Sequence, residues 1–210
     1  MKIYDFSPFY NENFVTSIKT EEHSSWVDEF HIIETNRTFQ NVLKEYNYSI
    51  KESNLVKYHK IDVTSEFISD SLFKKIKRKI RFLTGCTDSV EFGKCYVEQA
   101  AWLNEAYQRN YASLIIDKIN LQDDDILIFS DVDEIIDSRN KDIIIEKVKK
   151  HGIVTGKLHF TMFYLNLFVQ NWGGAPDYSY RTFIMTGEYY KKMNVTLDML
   201  RKAGERGKLE

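Results

Sequence analysis

Two periods of apolar residues run through the chain, one of about two residues and one of about 3.6, and they divide it into strands and helices. Ile3–Phe6 is a short strand candidate at the very start. Asn11 can cap a helix reaching about Glu22, with Phe14, Ile18 and, at the margin, Val15 on the face expected to point inward. Val27–Glu34 (VDEFHIIE) and Leu55–Ile61 (LVKYHKI) read as strands, the latter with apolar residues at alternating positions. Glu66–Leu83 reads as a helix, and a longer helical pattern runs from Val90 to about Lys118 with Gly93 near its start. Ile126–Phe129 is four apolar residues in a row, the mark of a strand covered on both faces. Asp142–Lys150 is helical, Ile153–Val169 holds β segments around Gly156, Tyr180–Met185 is a strand, and Val195–Ala203 a last helix.

Strands alternating with helices predict an α/β fold with a mixed, mostly parallel sheet flanked by helices. Open sheets of that kind bind ligands beyond the carboxyl ends of their strands. Just past Phe129 comes Ser130-Asp131-Val132-Asp133-Glu134. Three carboxylates so close together repel one another unless a cation or water relieves them. A plain strand-to-helix turn is one explanation, and Asp123–Asp125, a second Asp-x-Asp, is read that way. For Asp131 and Asp133 there is a chemical alternative. Mg²⁺ and Mn²⁺ prefer oxygen ligands and are commonly shared between one or two carboxylates and substrate phosphates. Val132 is expected to turn back into the core, and Glu134 to ligand through water or cap the next helix.

Composition narrows the classes. The chain has 210 residues, with 14% aromatic and 29% charged residues, which places it among folded proteins rather than disordered ones. Two prolines and nine glycines leave little linker material. Residues 1–207 are therefore read as one domain and 208–210 as a tail. A net charge of −2 gives no global drive toward nucleic acid, and no nucleic-acid partner is expected. Cys86 and Cys95 match neither a zinc site nor a disulfide framework. The first residues lack the apolar run of a signal peptide, and no stretch of about 18 apolar residues exists, so a cytoplasmic location is expected. Six basic residues between Lys74 and Arg81 overlie Ile68, Leu72, Ile76 and Ile80. They form either a solvated helix face or, across residues 66–83, a peripheral contact with an anionic membrane surface.

Several ordered segments resemble glycosyltransferase family 17, whose vertebrate members include the β-1,4-mannosyl-glycoprotein N-acetylglucosaminyltransferases. They are IYDFSPFYNE (Ile3–Glu12), VDEFHIIETNRTF (Val27–Phe39), WLNEAYQRN (Trp102–Asn110), DDDILIFSDVDEI (Asp123–Ile135), HFTMFYLNL (His159–Leu167) and NWGG (Asn171–Gly174). The resemblance implies a GT-A-like, inverting transferase that moves a sugar, GlcNAc by analogy, from a UDP-sugar to a hydroxyl of a glycan or lipid-linked glycan. It implies Asp133 as a Mn²⁺ or Mg²⁺ ligand and Asp131 as a second ligand or a contact to the donor. Pro8, Asn11, Glu12 and Glu34 would edge the nucleotide pocket, with Arg109 near the phosphates. The candidate base is Asp177, with Glu134 and Glu188 as competitors. The chain departs from the family at Phe6, Asn41, Leu43 and Ile136, where Cys, Gly, Pro and Pro are expected. It also lacks a Gly-Trp-His-type segment expected after Leu197–Arg201, as in a short variant or a chain cut before it. Two alternatives stand beside this reading. One is a non-catalytic domain that binds nucleotide-sugar or glycan. The other is a phosphohydrolase of the haloacid-dehalogenase type with an Asp nucleophile.

Overall fold

The computed structural model describes residues 1–38, 42–51, 53–63, 100–159, 178–193 and 195–205. The predicted helix over 66–83, the start of the one from Val90, and most of the β segments after His159 lie outside these residues.

β1 (Ile3–Phe9), β2 (Glu29–Thr35), β3 (Val56–Ile61), β4 (Ile126–Phe129), β5 (Ile153–Thr155) and β8 (Phe183–Thr186) form a six-stranded sheet in the order β3-β2-β1-β4-β8-β5. β6 (Leu158–His159) and β7 (Tyr178–Ser179) form a separate two-stranded ribbon. Helices α1 (Asn13–His23), α2 (Ala100–Ile116), α3 (Lys141–His151), α4 (Gly187–Lys192) and α5 (Leu197–Glu205), with a short 3-10 turn at Ser138–Asn140, complete the described elements. The four strands at one side pair in parallel, with Phe6 opposite both His31 and Phe129. β8 runs antiparallel to both β4 and β5. The sheet is therefore mixed and mostly parallel, as the alternation of elements predicts.

Alternation along β1 sets the two faces. Tyr4 and Phe6 pack with Ile33, Leu127, Phe129, Phe183 and Met185 on the face that α2 and α5 cover. Ile3 and Phe9 pack with Phe30, Ile32, Ile126, Ile128 and Ile184 on the other. Fully buried side chains of this size each contribute roughly 1.5–3 kcal/mol. Asp5 and Ser7 occupy the odd positions between Ile3 and Phe9 and are completely buried. Their burial accounts for a correction at α1. Phe14 and Ile18 point to solvent at 77% and 41% exposure, while Thr16, Lys19 and His23 face inward. The helix keeps its period and presents its polar face, because the sheet beneath it carries polar groups that need partners. Asn11 does not cap it: Glu12 holds the N-cap position, and its carboxylate accepts from the Tyr10 and Asn11 amides, both at 2.9 Å.

Glycines mark two close approaches. A Cβ on Gly187 would stand 2.0 Å from the Gln122 carbonyl oxygen, and one on Gly204 2.0 Å from that of Tyr180. Gly152 ends α3 at φ +80°, turning the chain into β5. Among the described residues, no helix is long and apolar enough to cross a membrane.

Candidate active site

The parallel strands β1 and β4 end side by side, and the chain leaving β4 makes the acidic turn. Its Glu134 amide donates to the Asp131 carbonyl at 3.0 Å, and Glu134 Oε2 accepts from the Asp131 amide at 2.9 Å. Val132 and Ile136 are buried, as expected of Val132, and anchor the turn on the α1 side. Continuing the alternation of β4, Ser130 then faces α1, and Asp131 faces the cleft between α2 and α5.

That cleft is lined by apolar side chains, Phe6, Pro8, Ile33, Phe129 and Phe183 among them, with Ser130, Asp131, Arg109, Arg181 and Arg201 as its polar margin. An apolar floor with a few convergent polar groups suits a small-molecule site. Arg201, on α5, ties the acidic turn together. It donates to Asp131 Oδ2 and, through Nη1, to Glu134 Oε1 and Oε2 at 3.0 and 3.1 Å. Arg109, on α2, pairs with Glu105, and approaches Asp131 Oδ2 at 3.5 Å and Asp198 Oδ1 at 3.5 Å. Asp131, Glu105 and Asp198 together outweigh desolvation and hold the Arg109 guanidinium firmly charged.

The two other carboxyls of the turn are pushed the opposite way. Desolvation raises Glu134, against the pull of Arg201. Asp133 is exposed to solvent, yet partial desolvation and then the Asp131 charge raise its carboxyl above the usual range. A bound cation would relieve that repulsion.

Beneath the turn lies a polar network between β1, β4 and α1. Lys19 Nζ donates to Ser7 Oγ at 2.7 Å, Ser130 Oγ at 2.6 Å and the Asp131 carbonyl at 3.2 Å, and lies 3.2 Å from Asp5 Oδ1. His23 Nε2 accepts from the Ile136 amide at 3.0 Å, leaving Nδ1 3.4 Å from Asp5 Oδ2. Burial works to raise the Asp5 carboxyl, but Lys19 and His23 prevail and hold it below the ordinary carboxylate range.

The remaining candidates fall into three groups. Pro8, Arg109 and Asp131 meet at the cleft. Asn11 and Glu12 sit beyond the same end of β1 but do not line it; Glu12 is spent on its own turn. Glu34 is neither a solvated strand end nor a free donor contact. It is fully buried, and its oxygens accept from Lys44, the Asn47 amide (2.8 Å), the Tyr48 amide (3.1 Å) and the Tyr58 hydroxyl (2.6 Å), so it holds the 44–48 loop. Glu188 follows β8 at the opposite end of the sheet, where its amide bonds the Asp123 carbonyl, and its carboxylate pairs with Lys192. Asp177 lies outside the described residues.

The contacts also bear on the metal suggested by the acidic motif. Among the described residues no three His, Cys, Asp or Glu side chains gather as a ligand set. A Mg²⁺ or Mn²⁺ ion held mostly by substrate phosphates needs only one or two carboxylates. Asp133, with no ion-pair partner among the described residues, meets that need. On Asp131 both guanidiniums make their nearest approach to Oδ2. The pair fits a shared hard cation.

Open α/β sheets bind ligands beyond the carboxyl ends of their strands, and the arginines at this end suit an anionic one. The family model of glycosyltransferase family 17 matches residues 1–172, and the chain belongs to that family. It is thus a glycosyltransferase, and the phosphohydrolase alternative is set aside. No curated protein and no solved structure matches the chain. Arg181, Asp198 and Arg201 come after the matched stretch, and nothing local in the sequence marks them. Lys19 did leave a signal: polar residues at 16, 19 and 23 share one helical face, and Asp5 and Ser7 share one strand face.

Proposed function

We propose that the protein is a metal-dependent, inverting glycosyltransferase of GT-A type that takes a UDP-sugar, UDP-GlcNAc by family analogy, and transfers the sugar to a glycan hydroxyl. The observation that carries this reading is the placement of Asp131 on the margin of a cleft that also receives Arg109, Arg181 and Arg201, with Asp133 two residues further along the same turn after β4. The acceptor oxygen attacks the anomeric carbon from the face opposite the diphosphate. The bond to the diphosphate oxygen breaks, and the proton of the hydroxyl passes to a base. A Mn²⁺ or Mg²⁺ ion held by Asp133 and Asp131 would supply charge neutralisation for the leaving diphosphate. Arg109, Arg181 and Arg201 would add fixed positive charge on its other side. The apolar floor at Phe6, Pro8 and Ile33 offers a surface for the base and sugar of the donor. Asp177 is the proposed base. Glu134 is assigned a supporting role instead, because Arg201, Thr182 and the Asp131 amide occupy its oxygens.

Calorimetric titration of UDP and UDP-GlcNAc with Mn²⁺ or with chelator, on wild type and Asp133→Ala, tests the reading. Binding that requires both the metal and Asp133 is expected. Equal binding in chelator, or by Asp133→Ala, removes the metal from the scheme. Metal-dependent binding without turnover against any glycan acceptor selects a non-catalytic binding domain.

A further inference from the structure

A buried lysine is an expensive way to fill a core. Its ion pair with a buried aspartate returns little net stability, and a well-packed apolar pair of the same volume often does as well or better. Stability is therefore a poor account of Lys19, which is 1% exposed and paired with a fully buried Asp5. What an ammonium does that no apolar side chain can do is donate three directed hydrogen bonds. Those of Lys19 go to Ser7 on β1, to Ser130 at the end of β4, and to the backbone carbonyl of Asp131 itself. One turn further along α1, His23 accepts from the Ile136 amide, so the same helix face grips the acidic turn on both sides, at 130–131 and at 136. Neither residue lines the cleft.

We propose that Lys19 is a positioning residue for the acidic turn, acting with His23 to fix where Asp131 and Asp133 present their carboxylates to the metal–nucleotide donor. This rests on the donor reading above. The groups that hold a ligand's backbone set its aim, and loss of such outer support typically costs about 10–100-fold in metal affinity. Lys19 does so from inside the protein, without touching the donor.

The test separates aim from stability. Lys19→Met alone leaves Asp5 buried with only Ser7 and His23 beside it, so it is compared with Lys19→Met/Asp5→Asn, which removes both charges and with them the cost of the lost pair. In the double variant, thermal unfolding near the wild-type temperature and about tenfold or more weaker binding of UDP with Mn²⁺ are expected. Ser130→Ala keeps the Lys19–Asp5 pair and takes away one contact to the turn. It is expected to weaken binding severalfold and to speed hydrogen exchange at the Asp131–Glu134 amides, and it decides the matter if the double variant does not fold. A stable double variant that binds like wild type, or a Ser130→Ala variant unchanged in both affinity and exchange, overturns the proposal. Wild-type protein that binds no UDP with Mn²⁺ overturns the donor reading and this proposal with it, whereas a binding wild type with unaffected variants overturns this proposal alone.

Discussion

Arg201 is the single side chain on which most of the cleft's charge balance depends. It is nearly buried and supports both Asp131 and Glu134. Arg201→Met leaves Glu134 without its cation and Asp131 with Arg109 alone, and breaking a buried pair from one side costs about 3–5 kcal/mol; urea denaturation is expected to show a loss of that size. His31 sets a pH dependence of its own. It is 3% exposed, stacks on Phe6 and His59, and its Nδ1 shares a hydrogen bond with His59 Nε2 at 2.9 Å. Desolvation first, then His59 and Lys57, outweigh Asp5 and push its pKa from 6.5 down to about 3. Between those values the unfolded chain binds the proton and the folded one does not. Its contribution is thus fully present above pH 6.5 and is lost as the pH falls toward 3, at about 1.4 kcal/mol per pH unit. Denaturation curves at about pH 7 and about pH 5.5 are expected to show that loss, and His31→Leu to flatten it.

At the level of elements, the pattern of apolar residues located strands and helices well and oriented one of them wrongly. Ile126–Phe129 has the expected limits, because four apolar residues between turn signals have one reading in an α/β chain. α1 is rotated from its expected setting, since Phe14 and Ile18 look like a core stripe until Asp5 and Ser7 are seen to claim the inner side. The rotation has a measurable outcome. Phe14→Ser is expected to change stability by no more than about 0.5 kcal/mol, as for an ordinary surface position, where a core Phe would cost several times that. The acidic turn was legible from its own residues, whereas Arg201 was not, being brought to it by packing across some 70 residues of chain. Helix ends add a further expectation. With a Cβ directed into the Tyr180 carbonyl, Gly204→Ala must move α5, and a loss of about 1–3 kcal/mol in thermal or chemical unfolding is expected. A weakened donor site in the same variant would report that α5 carries Arg201 with it.

Over the whole molecule, the site draws on both ends of the described chain: β1 and α1 below, β4 and its turn at the centre, α2 and α5 around the cleft. The strand order β4-β8-β5 adds a question of timing. β5 leaves β4 through α3 and runs parallel to it, so the two could pair directly as soon as residue 155 is made. The final sheet instead places β8 between them, and Thr155 and Thr182, joined by a hydrogen bond where β5 meets β8, are 27 residues apart. A direct β4–β5 pairing would close a loop of similar length, Ile126 to Ile153 being 27 residues as well, so loop entropy gives it no advantage. It would also shut β8 out. This side of the sheet is therefore complete only once residues 183–186 exist, because β8 is what joins β4 to β5.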